Sequence, residues 1–512
     1  MSIVCPSIRR VLVANRGEIA VRIFRGLAEL GVHSIAVHSD VDRDAVHVRH
    51  ADTVVPLGGT TAADSYLRID KILDVAQREG VDAIHPGYGF LSENPNFAAA
   101  VEAAGMRFIG PTAAAMASLG SKAAARQVAL AAKVPVVPGF DGELPDDRAW
   151  LEKAREVGFP LMIKASAGGG GKGMRLVERA EDFLEALAAG RREAKAAFGD
   201  DRMLLERRVF PARHIEVQIL GDTHGDVVAL NERECSVQRR HQKVLEEAPS
   251  PAVDSDLRRR MSEAAIALGK AVGYRGAGTV EFLLDADGSF YFLEVNTRLQ
   301  VEHPVTECIT GLDLVHLQLA IADGQRLAEL LRDVDLTPRG WALEARICAE
   351  SPENGYLPAA GRLLRVREPR GPGIRVDSGV VSGSEVSVYY DSMLAKLIVH
   401  APDRRTACLR MARALADSEY LGIPTNVDFL RRVVTDDAFV AGELRTDFLD
   451  RAPHLASPPA EPIADSVWIA AILGAATVND SGVASSGSTA GSVTRASLFQ
   501  SLTGFRVFSN LT

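Results

Sequence analysis

Apolar and polar positions follow two rhythms along this chain. In the first hundred residues, short apolar runs give way to helical spacing. Val11-Leu12-Val13-Ala14 ends at Asn15-Arg16-Gly17, after which Ile19, Ile23, Phe24, Leu27 and Leu30 recur at the spacing of an amphipathic helix. Ser34 to Val37 reads as the next strand, Tyr66 to Gln77 as a helix, Ala83-Ile84-His85 as a strand and Phe97 to Ala104 as a helix. Strands alternating with helices predict a parallel sheet covered on both faces. The turns Asn15-Arg16-Gly17 and Pro86-Gly87-Tyr88-Gly89-Phe90 then fall at the carboxyl edge, where such sheets bind ligands.

Residues near 135–145, rich in Pro, Gly and Asp, predict a hinge. From about 205 to 300 the rhythm shortens to period two. His214 to Leu220 alternates, and Thr279 to Leu284 pairs with Ser289 to Asn296 across Asp285-Ala286-Asp287-Gly288. Leu336-Thr337-Pro338-Arg339-Gly340 is a candidate boundary. Beyond it, Gly361 to Val366, Ile374 to Val376 and Val386 to Tyr390 predict a β-rich region finished by a helical segment. After 451 the chain turns to Ala, Ser, Gly and Pro, the composition of a linker.

Bulk properties narrow the class. At 512 residues the chain exceeds one core. Its 47% hydrophobic and 24% charged content is ordinary for a soluble globular protein. A net charge of -9 argues against general nucleic-acid binding. Five scattered cysteines without a CxxC spacing argue against a disulfide framework or a zinc site. The start lacks a signal-peptide core, and the apolar run Trp468 to Ala476 is too short to span a bilayer. The expected home is the cytoplasm, with no membrane partner.

Candidate chemistry begins at the hairpin. A two-residue turn sets Glu281 opposite Glu294; a four-residue loop makes them diagonal neighbours on the same face. A three-residue loop without a bulge would put them on opposite faces. Like charges facing each other destabilise a sheet. A divalent cation, with hard oxygen ligands including Asn296, resolves this; solvent screening is the bland alternative. The glycine run Lys164-Ala165-Ser166-Ala167-Gly168-Gly169-Gly170-Gly171-Lys172-Gly173 lacks the ending of a Walker A motif, yet such a loop can cradle phosphates; otherwise it is a flexible linker. Lys164, ending an apolar strand, is better placed than Lys172 for a fixed contact. Arg298 can fork onto a small oxyanion and Glu302 can take its proton, unless the two form only a surface ion pair. His241 and Lys243 could meet a second anion, or belong to a solvated basic loop.

Together with Val13 to Ala20, His85 to Asn94, the glycine run and Gln238 to Lys243, the run Glu294-Val295-Asn296-Thr297-Arg298-Leu299-Gln300-Val301-Glu302-His303-Pro304 resembles biotin carboxylase, the ATP-grasp component of biotin-dependent carboxylases, over roughly 8–450. The resemblance implies an α/β and α+β architecture. An N-terminal Rossmann-like domain would cover 1–120 and an ATP-grasp domain 121–335, with a mobile lid at about 136–205. A C-terminal β-rich domain would follow at 336–450, and a linker or docking tail at 451–512. It implies that bicarbonate attacks the γ-phosphate of ATP to give carboxyphosphate, whose carbon dioxide carboxylates biotin.

By the same resemblance Lys122, Lys164, Gly170, Gly171, Glu206, His214 and His241 would hold the nucleotide. Glu281, Glu294 and Asn296 would hold magnesium or manganese. Lys243, Arg298, Gln300 and Val301 would hold bicarbonate, Glu302 would be the base, Arg346 would stabilise the biotin enolate, and Tyr88 would line the biotin site. Ser121 stands where the family often has Asp, and Ala345 and Cys348 replace commoner residues beside Arg346. The Met-Lys-Met context of a biotinylated lysine is missing, and Lys396 is the last lysine. Biotin is therefore expected on a carrier protein, with a carboxyltransferase, in trans; otherwise the chain is cut in the linker. A homodimer is expected, to which the first helix (Arg22, Arg25) could contribute. The rivals are an ATP-grasp ligase of amide bonds, tested by amine-dependent turnover, and a nucleotide-binding scaffold, tested by binding without turnover.

Overall fold

The computed structural model describes residues 3, 5–166, 174–240 and 242–456, and four positions beyond. Gly170, Gly171 and His241, and nearly all of the expected tail, lie outside the described residues; at its start Pro453–Leu455 is a short 3-10 helix that buries Leu455, so the packed body reaches past 451. Up to Ala456 the chain forms one compact unit.

The first apolar runs become a five-stranded parallel sheet. Its order is Thr53–Pro56, His33–His38, Arg10–Val13, Ala83–His85, Arg107–Phe108. Helix Gly17–Glu29 buries Ile19, Ile23, Phe24 and Leu27, as its spacing predicts. Arg22, however, is not on an exposed face. It is buried and donates to Glu307 (2.9 Å) and Asp313 (2.7 Å), so it ties this helix to the central region and is unavailable to a surface. The helix expected from Tyr66 starts at Ile69, because Tyr66 is held back by its hydroxyl bond to Asp42 (2.7 Å). The two carboxyl-edge turns meet: Asn15 Nδ2 donates to the carbonyls of Pro86 (2.8 Å) and Tyr88 (2.7 Å). Gly87 permits this approach, since a Cβ there would lie 2.8 Å from Asn15 Nδ2 in a left-handed backbone.

Residues 139–207 supply a small antiparallel sheet, Gly139–Phe140, Met203–Arg207, Leu161–Ala165, Arg175–Val177. The largest sheet has eight antiparallel strands. In order they are Phe290–Asn296, Gly276–Asp285, Ala212–Gly221, Val227–Arg239, Gln242–Ala248, Trp341–Cys348, Met393–Ala401 and Ile374–Ser378. This sheet runs without interruption across the Leu336–Gly340 punctuation, because Gln242–Ala248 pairs directly with Trp341–Cys348. Helix His303–Thr310 packs on it, burying Val305 and Ile309. Among the described residues no single helix is long and apolar enough to cross a membrane.

Two local expectations fail for tertiary reasons. Only Glu385–Val386 of the run to Tyr390 is strand. Tyr390 instead reaches the first sheet's loops, its hydroxyl bonded to Ser39 Oγ (2.8 Å) and to the Thr60 carbonyl (3.0 Å), with the Arg16 guanidinium over its ring. Gly361 to Val366 is split into Gly361–Arg362 and Arg365–Arg367, which pair with different strands.

Candidate active site

The site is written on one face of the eight-stranded sheet. The hairpin loop has three residues, Ala286 to Gly288, with Asp285 N–H bonded to the Ser289 carbonyl (2.8 Å). That loop alone would separate the two glutamates. A bulge between Glu281 and Phe282 restores them: Leu284 pairs with Phe290, but Glu281 pairs with Glu294 and Thr279 with Asn296. The row continues sideways, because Glu281 also pairs with Glu216, and Glu216 with Arg233. Three carboxylates thus stand abreast on adjacent strands.

Buried like charges require compensation. Lys243 Nζ provides most of it, lying 2.9 Å from Glu281 and 2.6 Å from Glu302 and also contacting Glu216. Arg233, fully buried, donates to Glu216 (2.5 Å), Gln218 (2.8 Å), Thr279 (3.0 Å) and Thr306 (2.9 Å). His214 Nε2 lies 3.0 Å from Glu281, and Lys122 donates to Glu294 (3.1 Å). Asn296 Nδ2 donates to Glu281 (2.8 Å). Burial pushes the Glu281 carboxyl up, but Lys243 and His214 outweigh it and hold it well below the usual range. Burial opposes charge on Lys243 too, and Glu216, Glu281 and Glu302 overcome it, raising its pKa well above that of a free lysine.

Glu302 is the centre of the face. It is fully buried at the start of helix His303–Thr310, accepting from Lys243 (2.6 Å) and from Arg346 Nη2 (2.9 Å). Burial disfavours its charge, yet Lys243, Arg346 and Arg233 keep it well below the carboxylate range. Arg346 is oriented by Glu246, which accepts from its Nε (2.6 Å). The bland alternative, an ion pair between Arg298 and Glu302, does not form. Arg298 donates to Glu93 (3.1 Å), Gln300 Oε1 (2.7 Å) and Asn296 Oδ1 (3.0 Å), so its fork is fixed beside the carboxylate row.

Gln300 is buried, and its side-chain amide lies 3.4 Å from Glu281. The Val301 carbonyl accepts from Lys396 (2.8 Å). Tyr88, half-buried, donates to Glu18. Lys164 contacts Glu206 at the inner strand of the small sheet, and Arg126 lies 3.8 Å from Glu206. Lys122 opens helix Lys122–Ala131, which Ser121 caps by accepting from Ala124 N–H (3.1 Å), so the serine fills the capping role an Asp would have.

Sequence reasoning missed Glu216, Arg233, Glu93, Glu246, Glu18 and Lys396. Glu216 was readable, being two residues from His214 on an alternating strand. Glu93 lies inside the Phe90 to Asn94 motif. Glu18 lies inside the Val13 to Ala20 run, on the first helix, and Arg233, Glu246 and Lys396 needed cross-strand register. The two carboxylates and the amide of Glu281, Glu294 and Asn296 are a hard-oxygen set on one face, which fits magnesium or manganese.

A parallel nucleotide-type domain beside an antiparallel sheet, with lysines and carboxylates massed on one face, defines an ATP-grasp ligase. Residues 7–116 match the family described as biotin carboxylase, N-terminal domain. Residues 121–330 match the carbamoyl-phosphate synthase L chain, ATP binding domain, and 344–451 match the biotin carboxylase C-terminal domain. The chain is 49% identical over 440 residues to the biotin carboxylase of Nostoc sp., covering 86% of this chain and 98% of that one. It is 49% identical over 446 residues to the mitochondrial propionyl-CoA carboxylase alpha chain of Caenorhabditis briggsae, covering 87% of this chain but 60% of that one. The biotin carboxylase domain dimer of Hydrogenobacter thermophilus 2-oxoglutarate carboxylase, solved with MgADP, ADP and bicarbonate, superposes with a TM-score of 0.85 at 42% identity, covering 90% of this chain and 100% of that one. The chain belongs to the biotin carboxylase family.

Proposed function

We propose that this chain carboxylates biotin with bicarbonate at the expense of ATP, the first half-reaction of an acyl-CoA carboxylase such as acetyl- or propionyl-CoA carboxylase. The observation that carries the reading is Glu302, buried and ionised between Lys243 (2.6 Å) and Arg346 (2.9 Å). A carboxylate held between two cations is a site built to receive a small anion and take its proton.

Arg298 forks onto bicarbonate with Gln300 and Val301 beside it, and Lys243 turns from the carboxylates to the incoming anion. While both cations sit on Glu302 it is a weak base; drawing Lys243 onto bicarbonate raises its basicity as the substrate arrives. The deprotonated oxygen attacks the γ-phosphate, forming the O–P bond of carboxyphosphate as ADP leaves. Lys122, Lys164, Glu206 and His214, with Gly170, Gly171 and His241, hold the nucleotide. A divalent cation on Glu281, Glu294 and Asn296 would neutralise phosphate charge when bound. Carboxyphosphate yields carbon dioxide and phosphate; the freed phosphate takes the ureido N–H proton, Arg346 stabilises the resulting enolate oxygen of biotin by its fixed charge, and the ureido nitrogen bonds to the carbon of carbon dioxide. Tyr88 lines the biotin side. Biotin is presented by a carrier protein, a carboxyltransferase completes the reaction, and the chain works as a dimer.

Bicarbonate labelled with oxygen-18 tests the first step. One label per turnover in the released phosphate is expected; phosphate labelled only from solvent water would mean simple ATP hydrolysis and overturn the reading.

A further inference from the structure

We propose that Lys396 is a positioning residue for this reaction: its ammonium anchors the Val301 carbonyl, hence the turn that carries Glu302, and its ion pair with Glu18 fixes the Tyr88 hydroxyl. The proposal rests on the functional reading above.

Lys396 is fully buried in strand Met393–Ala401. A buried ammonium costs several kcal/mol even after relaxation, and apolar residues in place of the whole Lys396–Glu18 pair would often serve stability as well. Its charge offsets those of Glu18 (3.5 Å) and Asp377 (3.9 Å), but neither is its nearest contact. In register it stands directly opposite Arg346 on one side, placing two cations abreast, and opposite Asp377 on the other. Asp377 is already gripped by both nitrogens of the Arg375 fork (3.0 and 2.7 Å) and is 3.9 Å from Lys396. The shortest contact of Lys396 is with none of these acids. It is the 2.8 Å bond to the carbonyl of Val301, the peptide that leads into Glu302.

Its second partner is Glu18 Oε2 at 3.5 Å, and the other oxygen of Glu18 accepts from Tyr88. These residues come from three separately matched segments, 7–116, 121–330 and 344–451. One ammonium thereby joins the residues proposed for the biotin side (Tyr88) to those proposed for the bicarbonate side (Val301, Glu302). Arg346 reaches Glu302 from the neighbouring register position, so the base is set from two adjacent points of one sheet.

The test is Lys396→Met and Glu18→Gln, singly and combined, in the full chain, with KM measured separately for ATP, bicarbonate and free biotin. Lys396→Met is expected to raise the bicarbonate KM by about tenfold or more, as loss of a charge-assisted bond would. The ATP KM should stay within about twofold, since no nucleotide contact is involved. Glu18→Gln is expected to raise the biotin KM and leave the bicarbonate KM near wild type. If Lys396→Met alone does not fold because Glu18 is left uncompensated, the combined variant, which removes both charges, should fold and still show the raised bicarbonate KM. A folded variant with unchanged bicarbonate KM overturns the assignment of Lys396. Absence of bicarbonate-dependent turnover in the wild-type chain overturns the functional reading, and this proposal with it.

Discussion

Replacing Arg346 by alanine should separate the two halves of the reaction. The side chain has two structural partners: Glu246 takes its Nε (2.6 Å) and Glu302 takes its Nη2 (2.9 Å). If the guanidinium stabilises the enolate, its loss removes a preorganised charged donor from the developing oxyanion, worth about 100- to 1000-fold in rate. Bicarbonate activation loses less. Lys243 stays 2.6 Å from Glu302, and Arg298 and Gln300 are held by other partners, so bicarbonate-dependent ATP cleavage without biotin should fall less than about tenfold. Stability suffers as well. Two buried carboxylates lose a partner, and breaking a buried pair costs about 3–5 kcal/mol, here toward the lower end because the Arg346 side chain retains 18% exposure and Glu302 keeps Lys243.

The assay follows ADP release and labelled carboxybiotin together in the folded variant. Arg346→Lys serves as the control, keeping charge but losing the fork that spans Glu246 and Glu302. A rise in ATP cleaved per carboxybiotin formed supports the reasoning. Equal loss of both activities would refute it, placing Arg346 on bicarbonate or on general architecture.

Three further outcomes are expected. Glu294→Gln should raise the metal concentration needed for half-maximal turnover by about tenfold or more while leaving folding intact, because Glu294 has Lys122 as its side-chain partner; a wild-type metal titration would remove it from the metal site. Lys243→Met should abolish bicarbonate-dependent ATP cleavage and destabilise the fold by about 3–5 kcal/mol, since Glu216, Glu281 and Glu302 lose their shared cation; an unchanged melting temperature would contradict the charge network. Burial lowers His47 and His85 to about 4, so between pH 6.5 and 4 the unfolded chain binds protons that the folded chain refuses. Stability should therefore fall as pH drops through that window, by up to about 3 kcal/mol per histidine. Glu18, raised to about 7 chiefly by burial, acts in the opposite sense, being most stabilising below its unfolded value and losing that contribution as pH rises through about 7. The readout is consequently the difference curve for His47→Gln, which should be flatter than wild type below pH 6.5; an unchanged slope would contradict the burial argument.

Much of this site was legible because period-two patterning fixes faces. The pairing of Thr279–Leu284 with the following strand brings Glu281 and Glu294 near each other, on one face or on opposite faces according to the loop length. The loop length alone, however, predicts the wrong face. Three loop residues and a bulge at Glu281/Phe282 reach the same-face arrangement by a route that depends on neighbouring strands. Arg298 and Glu302 lie four residues apart in the sequence, but their partners are Glu93 and Arg346, contributed by distant segments. The sequence names these charged residues; only the tertiary arrangement of strands, turns and helices determines which neutralises which. The same reason hid Arg22, whose helical position reads as amphipathic surface until Glu307 and Asp313 are brought against it. Tyr390 likewise abandons its strand pattern for a partner far away in sequence, a tertiary choice that no local propensity encodes.

The most direct measurement of the central claim is bicarbonate-dependent ADP release by the purified chain with magnesium, with and without high free biotin, while acid-labile label from bicarbonate is counted on biotin. Marked stimulation by biotin, with carboxybiotin formed in proportion, is the predicted result. Turnover that ignores biotin but responds to an amine would contradict the account and make the chain a ligase of another kind.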